Sequence, residues 1–514
     1  MKENICGEFL RKKRQQCGLT QYQLGMLLKV SDKAVSKWEN GLAKPKSQLL
    51  HPLSVILGVT VDGLLTGEES PKRKGKSCFM EERHKSLWDR AYDNLRKRYT
   101  DMPPIEMISR FETEKLALIN TDMLLFFDLI SQISENASEK GCPICMEGGT
   151  GASFVAYLLG ASDVNPLPAH YYCPVCRRVE FVACVRDGWE LERKYCSGCH
   201  TLLVRDGHNI PFEIYRHVIG KNTGFDLVVS KYFYAEAEEK IRQYFGDYIT
   251  VLNPPAGILK KRDLSRMATY VIQLSDMQAK SEEDSLFCSH EEYYEYISDK
   301  PYINLLGKED HEKWIALRRL VNISENEIDF LENQVQQALF KGDIRAVPNW
   351  GLYNLPLLFE KFPIRNLQDA LQLYGIALCA TALSGCEAAS YLKWQINLWD
   401  VIPYRDDVFC DIYSKMREHG YLETGFAFRV MDHTRKGFYY HNGVDRYIRK
   451  VLLNIGVSER YIACLEETIY LFPKVQGIIQ LRYTLIFLWY KIHYPEEYQA
   501  VIGGKEETVL SPTI

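Results

Sequence analysis

The sequence predicts a helix-rich α+β protein of several domains, and three observations support this. The chain has 514 residues, more than one compact domain normally holds. Its first 67 residues show the pattern of short helices separated by tight turns, and two Cys-x-x-Cys pairs farther along lie among short strands and turns. Beyond residue 311, apolar side chains recur at three-to-four spacing, as in Leu378–Leu398 and Glu459–Tyr490, which is typical of helices.

Composition excludes several classes of protein. Hydrophobic residues make up 46% and charged residues 25% of the chain, as in ordinary globular domains, and this argues against a collagenous or disordered protein. The most apolar stretches, Leu124–Ile130 and Ile478–Tyr490, are too short to span a bilayer, so we expect no membrane contact. The 15 cysteines are scattered and odd in number, which favours a reducing cytoplasm over a secreted disulfide framework.

The charge is unevenly distributed along the chain. Residues 1–76 contain 14 Lys and Arg against 7 Asp and Glu, a net charge of +7. The remainder carries 63 − 14 = 49 basic and 67 − 7 = 60 acidic residues, a net charge of −11. A basic head suits double-stranded DNA as a partner, whereas the acidic body does not favour a second large DNA interface.

These patterns divide the chain into five segments. An all-α head covers residues 1–67, and a charged linker with the string EESPKRKGK covers residues 68–84. A mixed α/β domain covers residues 85–310, and an all-α domain covers residues 311–503. Residues 504–514 form a tail.

The head contains two helices joined by a very short turn. In the string GLTQYQLGMLLKVSDKAVSKWENG (Gly18–Gly41), Thr20 and Ser31 are placed as N-caps of successive helices. The apolar positions of both helices face inward, including Trp38, which we assign to the core. This string, with the later ILGVTVDGLLTGEE, resembles the Cro- and phage-repressor-like helix-turn-helix family.

That resemblance implies sequence-specific DNA binding. The second helix of such a unit lies in the major groove with its N-terminal residues at the base edges, and the preceding helix contacts phosphates. We expect Glu39 to pair with Arg14 inside the head. Dimeric binding to a palindrome is common for such units, so a homodimer is one expectation. The predicted DNA-contacting residues are Gln21, Ser31, Asp32, Lys33, Ser36 and Lys37.

Four cysteines in residues 172–201 have the spacing of a structural zinc site. Cys173 and Cys176 form one Cys-x-x-Cys pair, Cys196 and Cys199 form another, and nineteen residues separate the pairs. Four thiolates complete a tetrahedral zinc shell and leave no position for a reactive water, so this zinc would be structural. The alternative is four thiols without a metal. The string Cys142-Pro-Ile-Cys145 has no second pair, which favours an ordinary loop over another metal site.

The body resembles the PolC-type DNA polymerase III alpha subunits of Gram-positive bacteria. The string GASFVAYLLGASDVNPLPAHYYCPVC (Gly151–Cys176) carries the resemblance most strongly. It continues in VIPYRDD (Val401–Asp407), LETGFAFRVMDHTRKG (Leu422–Gly437) and KIHYPEEY (Lys491–Tyr498). The resemblance implies that residues 85–310 form a palm with a cysteine-zinc module inside it, and that residues 311–503 form helical fingers.

The resemblance also implies a damaged catalytic site. The family carries an Asp-x-Asp pair on one strand, and its third aspartate lies in an L-D-I-L-G string. Here the first aspartate corresponds to Gly224, the second to Asp226 and the third to Asn304, so one of three carboxylates remains. Nucleotidyl transfer needs two divalent ions held by such carboxylates. We therefore expect Mg²⁺ only if polymerase activity remains.

The triphosphate side of the site differs as well. The family places an arginine before a glycine-rich turn, and this chain has Glu147 there, where a carboxylate would repel a triphosphate. The family's F-P-K-A-H string has become Phe472–Gln476, which keeps Lys474 and loses the histidine. Replacement carboxylates are conceivable, but no spacing supports them; the candidates are Asp206, Glu213, Asp263, Asp299 and Asp310.

The sequence thus predicts a cytoplasmic DNA-binding transcriptional regulator whose inactive polymerase-like body is a sensor or docking platform. One alternative is an active or residual DNA-directed DNA polymerase that the head recruits to DNA. Another is a mimic of PolC that binds replication proteins. The segment Glu283–Phe287 weakly resembles a sliding-clamp peptide, although five residues match by chance often.

Overall fold

A computed structural model describes most of residues 5–503. Apart from isolated positions, the residues outside the description are 1–4, 17–19, 29, 47–48, 51–77, 120, 122, 213–223, 254–265, 273–299, 324–326, 346–353, 383–400 and 504–514. Several predictions fall there: residues 68–77 of the linker, most of the ILGVTVDGLLTGEE string, the Glu283–Phe287 segment, the tail, the second part of Leu378–Leu398, and the carboxyl groups of Glu213, Asp263 and Asp299. Residues 78–84, predicted as the end of the linker, are helical instead, because a helix begins at Cys78.

The chain divides into two compact units, Met1–Asp128 and Leu129–Ile514. In the first part of the chain, every described element of secondary structure is a helix. Its helices are α1 (Ile5–Gln16), α2 (Gln21–Leu27), α3 (Asp32–Glu39), α4 (Cys78–Arg98), α5 (Ile105–Leu118) and α6 (Met123–Glu139).

The second unit combines strands with helices, as an α+β fold requires. Its strands are β1 (Ile144–Glu147), β2 (His170–Tyr172), β3 (Val179–Phe181), β4 (Val204–Asp206), β5 (Gly224–Ser230), β6 (Ile249–Leu252), β7 (Arg266–Ile272) and β8 (Tyr302–Lys308). Helices α7 (Phe154–Leu158) and α8 (Lys231–Phe245) lie between them in the chain, together with 3₁₀ turns at Gly149–Ala152, Gly188–Glu190 and Gly246–Tyr248.

Helices dominate from residue 310 onward, as the apolar spacing predicts. They are α9 (Asp310–Val321), α10 (Asn333–Phe340), α11 (Leu355–Lys361), α12 (Leu367–Ala382), α13 (Arg405–Glu418), α14 (Gly425–Arg435), α15 (Phe438–Asn442), α16 (Arg446–Asn454), α17 (Glu459–Glu467), α18 (Lys474–His493) and α19 (Pro495–Ile502). The prediction of a helix-rich α+β protein is confirmed.

Two sheets organise the second unit. The larger sheet has the strand order β1-β5-β8-β7-β6, with β5 and β8 parallel and the other pairs antiparallel. Its strands are almost fully buried, and their apolar side chains join a core that includes helix α18, whose residues from Lys474 to Tyr490 are nearly all buried. The smaller sheet, β3-β2-β4, is antiparallel and carries the cysteine pairs at its ends.

Among the described residues, no single helix is long and apolar enough to cross a membrane. The helices Ile105–Leu118 and Met123–Glu139 meet the length and composition test only as a pair, and they are bent by 120° at the break between them.

Candidate functional site

The head folds around a small apolar core, which Leu24, Val35 and Trp38 help to form. Ser31 is the N-cap of α3, where its side chain accepts a hydrogen bond from the amide of Ala34 at 3.2 Å. A Cβ at Gly25 would lie 2.8 Å from a backbone oxygen of the turn, so the close approach of α2 and α3 requires glycine there. The two-helix unit therefore has the tight geometry that the sequence predicts.

A buried ion pair fixes the end of α3 to α1. Arg14 donates to both carboxylate oxygens of Glu39, at 2.5 and 3.1 Å, as the sequence analysis expected. The amide of Gln21 also donates to Glu39, at 2.7 Å. Burial acts to raise the pKa of Glu39, but the hydrogen bonds from Arg14 and Gln21 and the nearby arginines hold it below its usual value. The Gln21 side chain thus has a structural bond in addition to its predicted phosphate contact.

One face of α3 is open to solvent. Asp32, Lys33 and Lys37 are exposed, and Ser36 is half-buried. The Ser36 hydroxyl accepts a 3.4 Å hydrogen bond from Asn40, and Asp32 accepts one from the amide of Lys33. This face presents two ammonium groups and short polar side chains, the chemistry that base edges and phosphates require.

The four cysteine sulfurs of the smaller sheet converge. The ligand atoms of Cys173, Cys176, Cys196 and Cys199 all lie within 4.8 Å of one another, and the sulfurs of Cys173 and Cys199 are 3.4 Å apart. This is the one group of potential metal ligands among the residues that the structure describes. Cys145 lies in β1 instead, outside the cluster.

Both cysteine pairs have the same backbone geometry. In the first, the amide of Arg177 donates to the carbonyl of Cys173 at 2.8 Å, and in the second the amide of His200 donates to that of Cys196 at 2.9 Å. Arg177 and His200 have φ values of 59° and 57°, a left-handed conformation that closes each turn after its second cysteine. Two equal turns aim four sulfurs at one point, an arrangement that could hold a tetrahedral metal ion.

The larger sheet carries a polar row across four strands. The strand register pairs Thr269 of β7 with Asn304 of β8, Asn304 with Asp226 of β5, and Asp226 with Glu147 of β1. Thr269 donates to the Asn304 side-chain oxygen at 2.5 Å, and the Asn304 amide donates to Asp226 at 2.6 Å. The Tyr293 hydroxyl also hydrogen-bonds Thr269. The two positions predicted from the Asp-x-Asp and L-D-I-L-G strings therefore lie side by side.

Gly224 stands two residues before Asp226 on the same face of β5, and the register pairs it with Tyr302. A Cβ added at Gly224 would overlap the outer atoms of the Tyr302 ring. The ring thus fills the space beside Gly224 where a carboxylate side chain would begin. The absence of a side chain at residue 224 and the bulk of the side chain at residue 302 are complementary.

Glu147 is not an isolated negative charge. Its carboxylate forms an ion pair with Lys308 at 2.5 Å, and both side chains are buried, with 3% and 7% of their side-chain areas exposed. The sequence analysis expected Glu147 to repel a triphosphate, but the structure places a compensating ammonium beside it. A buried, neutral ion pair of this kind attracts a phosphate far less than an unpaired cation does.

The glycine-rich turn after β1 is in contact with Arg405, the first residue of α13. A Cβ at Gly149 would overlap the guanidinium group, so the turn and Arg405 pack directly on each other. The Nε atom of Arg405 is buried without a hydrogen-bond partner among the described residues, and its nearest acid, Asp406, is 3.9 Å away. A cation therefore lies beside the turn, although residue 147 does not supply it.

Asp206 and Asp310, the two candidate replacement carboxylates that the structure describes, bind other groups of the protein. Asp206 accepts hydrogen bonds from Tyr157 and Asn165, each at 2.7 Å. Burial acts to raise the pKa of Asp206, but His170, His208 and these bonds hold it below its usual value. Asp310 begins α9 and pairs with Lys313 at 2.8 Å. Neither joins the row around Asp226.

Four residues of this site were not predicted from the sequence: Thr269, Tyr302, Lys308 and Arg405. Two of them lie in or next to strings that carry the resemblance. Arg405 is part of VIPYRDD, and Tyr302 directly precedes the string that contains Asn304. Their importance comes from contacts with Gly149 and Gly224, which are far away in the sequence.

Comparisons with known proteins agree with both resemblances. Residues 10–64 match the family model described as "Helix-turn-helix", and residues 85–321 match the one described as "Bacterial DNA polymerase III alpha NTPase domain". Curated relatives named "DNA polymerase III PolC-type" include one from Ureaplasma parvum, 24% identical over 80% of this chain and 32% of its own length. Others are from Mycoplasma genitalium, 24% identical over 84% of this chain and 34% of the relative, and Thermotoga maritima, 23% identical over 78% and 33%. The chain spans about a third of the length of these relatives.

Proposed function

We propose that this protein is a sequence-specific DNA-binding regulator whose polymerase-like palm no longer catalyses nucleotidyl transfer. The single observation that carries the second half of the proposal is the polar row Thr269–Asn304–Asp226. In that row the amide of Asn304 satisfies Asp226 by a hydrogen bond at 2.6 Å. In an active palm, a second carboxylate and a metal ion would lie next to Asp226. Here the neutral amide of Asn304 lies in that position.

The charge balance of the row supports inactivity. Two Mg²⁺ ions bring four positive charges, and such ions are bound through carboxylates together with substrate phosphates. Asp226 is one carboxylate, Glu147 is neutralised by Lys308, and Gly224 has no side chain. Because Asn304 is only 4% exposed and both ends of its amide are hydrogen-bonded, it cannot turn towards a metal without breaking two bonds.

The head supports the first half of the proposal. Its family match and the exposed face of α3 favour major-groove recognition by Lys33, Ser36 and Lys37. The acidic body carries a net charge of −11 by count, so non-specific attraction to DNA is concentrated in the head. In this proposal the cysteine cluster binds structural Zn²⁺ and the body is a sensor or docking platform.

The test of DNA recognition is selection of bound duplexes from a random pool by the full-length protein. We expect an enriched sequence, and a palindromic one would indicate a homodimer. Lys37→Ala should weaken binding to all sequences and reduce the salt dependence by about one counterion, whereas changes at Lys33 or Ser36 should alter the preferred bases. Lys12→Ala, an exposed change on α1, is the matched control. A pool that remains random after selection would refute the proposal.

A second candidate function is a polymerase with residual activity or retained nucleotide binding. The contact between Arg405 and Gly149 favours it, because a cation at a glycine-rich turn suits a phosphate group. The curated relatives are named as polymerases, which is consistent with this alternative. The third possibility, a mimic that binds replication proteins, has no supporting observation among the described residues.

A further inference from the structure

A polar cavity of about 990 Å³ lies among the helices of the second unit. Its walls come from the segment between β3 and the 3₁₀ turn Gly188–Glu190, which contains Arg186, and from the beginning of α12, one face of α13 and the beginning of α17. Lys474, the first residue of α18, completes the wall. The lining includes no residue of the polar row around Asp226 and none of the glycine-rich turn, but it includes Lys474, which the resemblance places on the triphosphate side of the polymerase site.

Two opposite charges in this cavity lack bonding partners. Lys474 is 8% exposed, and its ammonium group has no hydrogen bond or ion pair with any residue that the structure describes. The Asp407 carboxylate likewise has none among the described residues. Each charge nevertheless lies close enough to affect the other's pKa. Lys474 is buried and Asp407 is partly buried. A buried charge is costly without a partner, and an opposite charge in the same cavity makes the two a candidate for binding a ligand.

The neighbouring polar groups are already satisfied. Asp406 accepts a 2.7 Å hydrogen bond from the Lys474 backbone amide, and Asp411 accepts one at 3.1 Å from Tyr461. The Tyr404 hydroxyl donates to the carbonyl of Leu371 at 2.7 Å. Among the charged groups of α13 and Lys474, the Lys474 ammonium and the Asp407 carboxylate are therefore placed to recognise a ligand.

The charge pattern selects the class of ligand. The cavity walls include the carboxylates of Glu190, Asp406, Asp407 and Asp411 against the cations of Arg186, Arg460 and Lys474. This excess of acid disfavours a phosphate or another multiply charged anion. A simple cation would satisfy Asp407 but leave the buried Lys474 unpaired and repelled.

We propose that this cavity binds a small zwitterion, a free α-amino acid or a short peptide, with its carboxylate at Lys474 and its ammonium group at Asp407. Both contacts would be charge-assisted hydrogen bonds, which are stronger than neutral ones. The volume is at the upper end of the range for small-molecule sites and leaves room for a side chain or a second residue. The proposal deepens the sensor role assigned to the body, but binding to the cavity does not depend on DNA recognition by the head.

The test is isothermal titration calorimetry of the full-length protein, without DNA, against each standard L-α-amino acid and a set of dipeptides. Acetate and methylammonium are the single-charge probes. We expect saturable binding of at least one zwitterion with Kd of roughly millimolar or tighter, and at least about tenfold weaker binding of both single-charge probes. Amino acids and dipeptides form separate arms that identify the source of the zwitterion.

Variants link the binding to the two charges. Asp407→Asn and Lys474→Gln should each weaken binding by roughly tenfold or more, whereas Ser414→Ala on the same wall should leave it within about twofold. Asp407→Asn preserves side-chain shape, so it remains informative if Lys474→Gln fails to fold. No saturable binding of any zwitterion, or equal binding by native protein and Asp407→Asn, overturns the proposal. Because DNA selection is a separate measurement, failure here and failure of the proposed DNA recognition are distinguishable.

Discussion

Gly224 and Tyr302 are complementary neighbours on two paired strands. The Tyr302 ring fills the space beside Gly224, so introducing aspartate at residue 224 alone forces an overlap. We expect Gly224→Asp to destabilise the protein by roughly 1–3 kcal/mol, the usual cost of overpacking. The overlap involves the far end of the ring, so Tyr302→Val should remove most of that cost.

Denaturant unfolding of the two single variants and the double variant measures this coupling. The losses in unfolding free energy of the two single variants should add up to more than the loss in the double variant. The difference, the coupling free energy, should be about 1 kcal/mol or more. Equal destabilisation by Gly224→Asp in the native and Tyr302→Val backgrounds would contradict this account.

Asp407 should reduce stability at neutral pH. Burial raises its pKa to about 6, with Lys474 opposing and Asp411 and Asp406 adding to the rise. A carboxyl group whose folded pKa is above its unfolded value binds more protons in the folded state. Its stabilising contribution is therefore complete below about pH 4 and is lost as pH rises through about 6.

Asp407→Asn should consequently raise the free energy of unfolding at pH 7 by on the order of 2 kcal/mol, with little effect at pH 4. Asp187→Asn is the contrasting control. Burial acts to raise the pKa of Asp187, but His208, 2.8 Å away, holds it below its usual value, so this change should destabilise the protein above pH 4. Urea unfolding between pH 4 and 7 checks both signs, and a stability loss in Asp407→Asn at pH 7 would count against the assignment.

At the scale of elements, the cysteine turns and the strings next to them form one structural module. Asn165 and Asp206 join the segment before β2 to β4 by a 2.7 Å hydrogen bond, and the amide of His208 donates to the carbonyl of Asn165. Asp187 accepts from His208 within the same region. The strings that carry the strongest resemblance to PolC therefore form a buried hydrogen-bond network. Such a network stabilises the fold whether or not the palm is active.

The cysteine module should contain one zinc ion per chain. Cys196→Ser should release the metal and destabilise the second unit, because metal binding contributes directly to folding. Cys184→Ser is the matched control, since Cys184 is exposed and lies outside the cluster. Elemental analysis and thermal unfolding provide the measurements. A native protein purified without chelators that contains no zinc would disprove the prediction.

At the scale of the whole molecule, we expect no template-dependent DNA synthesis. One carboxylate at Asp226, a neutral Asn304 and a neutralised Glu147 leave the palm without the charges that two metal ions need. Primer extension with Mg²⁺ and then Mn²⁺ tests this, with Asp226→Ala as the control. Extension that disappears in Asp226→Ala would show that the site has been rebuilt and would favour the polymerase alternative.

The sequence by itself determined the pattern of elements, and its resemblance to PolC pointed to the positions of Gly224, Asp226 and Asn304. Local spacing was sufficient for the helix-turn-helix unit, because Ser31, Val35 and Trp38 belong to one short segment. It was also sufficient for the two cysteine turns, since each pair forms its turn within a few residues. The correspondence of Asn304 to a lost carboxylate came from the resemblance.

Only the tertiary structure decided what the substitutions do. Lys308 neutralises Glu147, Tyr302 fills the space beside Gly224, and Arg405 contacts the glycine-rich turn, and all three contacts join residues far apart in the chain. Asp407 and Lys474 likewise form a candidate binding site only because separate helices bring both side chains to one cavity. Electrostatic energy depends on distance and burial, and neither quantity follows from the separation of residues along a sequence.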